Sequence, residues 1–136
     1  MLAILVSLNG ICQLPTIRAT EQGWAGGICC RTGTNYQVIL TGKKGTLDHF
    51  KAGSVCIDGL HFESEQINIS SITENDKTLV YLNMSISHDK DDLLPDYLPE
   101  TRQTTCSNMQ VNYSTGLKHH TITIDKVDVL EFIAYP

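Results

Sequence analysis

Between Gly23 and Tyr36 the chain places its only tryptophan, four of its ten glycines and two of its five cysteines. Cys29 and Cys30 are the candidate nucleophiles. A thiolate attacks an acyl carbon once a base has taken its proton, His49 is the base this reading assigns, and the Gly26 and Gly27 amides would serve as oxyanion donors. Such a set describes a small cysteine-dependent hydrolase or deamidase. Against it, a papain-like nucleophile region starts a helix at the cysteine, and Arg31-Thr32-Gly33 would break that helix at once. A cysteine and a histidine also occur together in most small domains, so no catalytic centre is expected.

Soft ligands are numerous: Cys29, Cys30, Cys56, Cys106, His61, His119 and His120 carry the atoms that zinc or cuprous copper binds. Their spacing opposes a shared ion. Neighbours on a strand leave opposite faces, so neither Cys29-Cys30 nor His119-His120 directs two ligands to one point, and no metal or other cofactor is expected. The acidic run Asp89-Lys90-Asp91-Asp92 with Asp96 lacks the glycine and glutamate of a calcium loop and reads as a solvated segment. The cysteines then serve structure. With Cys12 removed or modified, Cys29, Cys30, Cys56 and Cys106 allow three pairings, of which one disulfide is expected in an oxidising compartment.

A length of 136 residues fits one domain, and 41% apolar with 18% charged residues is a globular composition. The net charge is −5, and the ten lysines and arginines are scattered, which excludes a nucleic-acid-binding face. Met1-Leu-Ala-Ile-Leu-Val-Ser-Leu8 is apolar but far shorter than the roughly 20 residues a membrane-spanning helix needs. Residues 1–12 are therefore expected to be an export signal region, with Cys12 a candidate for lipid attachment and 13–136 a single β domain. Membrane association is expected only through that lipid.

What must hold these residues is β-structure. Tyr36, Val38 and Leu40 alternate with polar residues, as do Ile67 and Ile69, then Val80, Leu82, Met84 and Ile86, then Met109, Val111 and Tyr113. A period of two marks half-buried strands. Ser54 to Asp58 and Thr121 to Ile124 add shorter candidates. Val127 to Tyr135 is apolar on both faces and is expected to be a central strand covered on two sides. Turn-forming residues at Thr41–Gly45, Asp58-Gly59, Glu74–Lys77 and Ser114–Lys118 imply hairpins. The exception is a long loop over 88–106. These features predict an antiparallel β-sandwich of about six to eight strands, or else a small β-barrel.

The string Glu21-Gln-Gly-Trp-Ala-Gly-Gly-Ile-Cys-Cys30, followed by Gly33-Thr-Asn-Tyr36 and the closing Leu130-Glu-Phe-Ile-Ala-Tyr-Pro136, resembles small exported bacterial β-proteins of uncharacterised function. The resemblance covers the two ends and implies a secreted or cell-envelope location. Three Asn-x-Ser triplets, at Asn68, Asn83 and Asn112, fall on the polar side of alternating strands, which accounts for them without a modification. The expected function is an exported binding or structural module for a protein or a glycan, with Trp24, Tyr81 and Tyr97 as contact candidates. Trp24 and one of Cys29 and Cys30 are expected to pack into the sandwich, with Gly26-Gly27 supplying the turn that takes them there.

Overall fold

The computed structural model describes residues 14–26, 31–88 and 104–135. Ten strands occur among them: β1 (Thr16–Gly26), β2 (Arg31–Lys43), β3 (Phe50–Ile57), β4 (Leu60–Glu63), β5 (Asn68–Glu74), β6 (Lys77–Ser87), β7 (Thr104–Thr105), β8 (Gln110–Thr115), β9 (Lys118–Thr123) and β10 (Val127–Ala134). Two five-stranded sheets form, in the orders β10-β1-β2-β6-β5 and β7-β4-β3-β8-β9. Every paired strand runs antiparallel except β10, which lies parallel to β1. The all-β sandwich read from alternation is thus the fold.

Alternation determines what the sheets bury between them. Val38 and Leu40 of β2 and Val80 and Leu82 of β6 meet Val55, Ile57, Phe62 and Val111 of the second sheet, and all eight are at most 2% exposed. Fully burying side chains of this size contributes roughly 1.5–3 kcal/mol each. Tyr36 packs its ring on Phe62, centroids 5.8 Å apart, which closes one end of this layer. Three of the four hairpin turns form where expected; the fourth, Thr41–Gly45, leads instead from β2 to β3 of the other sheet. Asp58-Gly59 joins β3 to β4 with φ of 54° and 78°, and Asn75-Asp76 joins β5 to β6 with φ of 52° and 65°. Two left-handed residues give a turn whose twist matches that of the flanking strands.

Several expectations are corrected. The strand count exceeds six to eight because β1 carries no simple alternation and β4 and β7 are very short. Ile69 does not share the buried side of Ile67. Ile67 precedes β5 and is 7% exposed, whereas β5 is an edge strand exposed along its length. The segment Val127–Tyr135 is not central either. As β10 it closes the edge of its sheet, and Val129 is 73% and Phe132 58% exposed. Of its apolar residues Val127 packs against the core, and β10 gained its place through main-chain pairing with β1, which side-chain polarity does not report. Most of the 88–106 loop lies outside the described residues, but its end forms β7, paired to β4.

Candidate binding face

The core-facing residues of β2 have even numbers (Tyr36, Val38, Leu40), so its odd-numbered side chains leave the opposite face of the first sheet. Register carries that face across the neighbouring strands. Thr20 of β1 lies opposite Gln37 of β2, which lies opposite Asn83 of β6, which lies opposite Asn68 of β5. One pleat along, Gln22, Asn35 and Ser85 form a second row. Seven amide or hydroxyl side chains from four strands thereby stand in two adjacent rows.

Around them lies an open cleft of about 640 Å³, to which Gln66 and Leu130 add a rim. Among the described residues its lining contains no charged side chain. The amide of Gln37 donates from Nε2 to Asn83 Oδ1 at 2.9 Å, and Gln22 Nε2 donates to the Glu131 carbonyl at 2.8 Å. These bonds hold the amides of Gln37, Asn83 and Gln22 in place. Each amide offers acceptor and donor together, so the surface can meet a ligand that also presents both, as a hydroxyl does. One further pleat from the second row is Trp24, paired with Gly33. On the other side of the first row is Tyr81, paired with Ile39. Two half-buried aromatic residues therefore flank the polar rows along the strand direction.

Trp24 is consequently on the outer face and not in the sandwich core, which corrects the expectation for it. Gly26 is also not a turn residue: it ends β1 opposite Arg31, and its missing side chain accommodates Tyr135, whose Cβ would stand 3.1 Å from a Cβ added there. Gly27, Cys29, Cys30, Cys12, Tyr97, residues 1–12 as the export signal and the Asp89–Asp96 cluster lie outside the described residues.

Of the four cysteines named for disulfides, Cys56 and Cys106 are paired, with Cα atoms 6.1 Å apart and a sequence separation of 50. The bridge ties β3 to the residue following β7, and the Cys106 amide donates to the Gly59 carbonyl at 3.0 Å. His49, the candidate base, is the last residue of the β2–β3 connection, with φ of 57°, and is exposed. It lines a separate cleft of about 520 Å³ with Asp48, Tyr113, Lys118 and His120. The residues bracketing Cys29 and Cys30 are at the far end of β2, since Arg31 begins that strand and Lys43 ends it. Twelve residues at about 3.3 Å each separate those ends by roughly 40 Å. His120 stacks on Tyr113 at 4.9 Å and bonds Thr115 Oγ1, while His119 is exposed on the other face of β9.

Sequence reasoning missed a second polar group. Glu21 and Tyr36 are register partners on the inner face, and Asp58 reaches them from the β3–β4 turn of the opposite sheet. The Tyr36 hydroxyl donates to Asp58 Oδ2 at 3.3 Å. Burial, then the nearby Asp58 charge, pushes the Glu21 carboxyl above its ordinary value, and the same causes raise the Tyr36 phenol beyond its usual range. Separations of 15 to 37 residues hid this group from any spacing argument. No family model, curated protein or solved structure matches the chain.

Proposed function

We propose that this chain is an exported β-sandwich binding module, and that the outer face of its first sheet takes an uncharged, hydroxyl-rich ligand, a glycan. The observation that carries the reading is the pair of rows Thr20-Gln37-Asn83-Asn68 and Gln22-Asn35-Ser85 in an uncharged cleft. Binding sites hold a few convergent polar groups in a concave surface, and amides meet vicinal hydroxyls as donor and acceptor at once. Trp24 and Tyr81 at the flanks supply apolar ring surface of the kind that packs on a sugar face. The Cys56–Cys106 bridge is compatible with the oxidising compartment that export implies.

Calorimetric titration with neutral cello-, chito- and malto-oligosaccharides tests the reading. Saturable binding of at least one series, lost in the Gln37→Ala/Asn83→Ala double variant with the fold unchanged, supports it. Absence of binding to all three, or binding undiminished in the double variant, overturns it.

A further inference from the structure

We infer that Asn68 is a site of N-linked glycosylation and that Asn83 and Asn112, which stand in the same Asn-x-Ser context, are not. The triplet alone does not separate the three; their placement does. Asn112 lies on β8 between two neighbours, donating from Nδ2 to Ser54 Oγ at 3.0 Å and accepting from Thr121 Oγ1 at 2.7 Å. The amide nitrogen that would have to carry a sugar is thus already committed across the sheet. Asn83 is on β6, flanked by strands on both sides, half-buried, and accepts from Gln37. Asn68 opens β5, the last strand of its sheet, and both it and Ser70 are exposed. Asn68 stands at the outer margin of the binding face, with a neighbouring strand on one side only, so a bulky, hydrated substituent there can lean outward past β5, over an edge that would otherwise offer free main-chain groups to another strand.

Asn68 and Asn83 are register partners, so room for a branched sugar on one excludes it from the other. The reaction is a glycosyl transfer from a lipid-linked oligosaccharide pyrophosphate. A bond forms between Asn68 Nδ2 and the anomeric carbon, the bond from that carbon to the pyrophosphate oxygen breaks, and the amide proton leaves with the lipid pyrophosphate. The Cys56–Cys106 disulfide fits the compartment in which such donors act.

This inference does not rest on the binding reading, and where both hold it leaves the ligand to Gln37, Asn83, Gln22 and Asn35, with the Asn68 end of the cleft taken by the attached sugar. The test is the intact mass of the full chain secreted, behind a secretion signal, from a eukaryotic cell, together with peptide mapping. One oligosaccharide increment is expected, on Asn68. It should disappear in both Asn68→Gln and Ser70→Ala and persist in Asn83→Gln and Asn112→Gln. Secreted, disulfide-bonded chain without any increment overturns the inference, as does an increment that maps to Asn83 or Asn112. Oligosaccharide titration of the unmodified chain, made in a bacterial cell, separates the two readings, because it probes the binding face with every side chain in place and no sugar on Asn68.

Discussion

The indole of Trp24 covers Gly33, its register partner across β1 and β2. A Cβ added to Gly33 would stand 2.5 Å from Trp24 Cε2 and 2.6 Å from the Ile86 carbonyl oxygen. Glycine at 33 is therefore a matter of space, since an aromatic ring takes the position of a side chain.

Gly33→Ala is accordingly expected to destabilise the fold by about 1–3 kcal/mol, the usual cost of overpacking. Ile86 keeps its carbonyl in place whatever happens to the ring, so Trp24→Ala should relieve only part of that cost. Denaturant unfolding of the four members of the double-mutant cycle measures the coupling. An identical cost of Gly33→Ala in both backgrounds would show that the ring is not what is crowded.

The Glu21–Asp58 contact makes stability depend on pH. Because burial and Asp58 raise the Glu21 pKa, the folded state holds its proton more tightly than the unfolded chain does. The resulting stabilisation is full below the ordinary value of 4.5 and is lost as pH rises through the higher folded value. Glu21→Gln, which is neutral throughout, should be the more stable protein at neutral pH relative to wild type than it is at pH 4. Unfolding midpoints across that range check the sign, and an advantage of Glu21→Gln that shrinks toward neutrality would contradict it.

Reduction of the Cys56–Cys106 bridge frees a loop of 50 residues. Loop-closure entropy for that length gives a loss of about 4 kcal/mol. The Cys56→Ala/Cys106→Ala variant should show the same loss within a factor of two, measured as the difference in unfolding free energy from the oxidised chain. A variant as stable as wild type would mean that the bridge adds nothing to the fold.

Val129→Lys tests the edge position of β10. The side chain at 129 is 73% exposed, so the change should fall within about 0.5 kcal/mol, as surface substitutions do. A loss of several kcal/mol would restore the central strand that the apolar pattern suggested.

His49→Ala bears on the cysteine-hydrolase alternative. With His49 beyond one end of β2 and Arg31 at the other, labelling of Cys29 and Cys30 by a thiol-reactive probe, mapped by mass spectrometry, should proceed at the wild-type rate. A marked slowing at one cysteine would identify His49 as the base that activates it.

The sequence by itself determined the fold class and much of the core. Tyr36, Val38, Leu40, Val80, Leu82, Val111 and Tyr113 are buried where alternation placed them, because a strand sends successive side chains to opposite faces and only one face meets the other sheet. The turns at Asp58-Gly59 and Asn75-Asp76 were legible for an equally local reason, the tolerance of those residues for left-handed backbone. Strand order and register belong to the tertiary structure, since partners such as Ala19 and Val127 are remote in sequence and are chosen by main-chain groups that every residue shares. Hence β10 became an edge, Trp24 came to cover Gly33, and Cys56 met Cys106 from among three pairings. The binding face arose in the same way. Gln37, Asn83 and Asn68 read singly as polar sides of separate strands, and only pairing in register makes them one row.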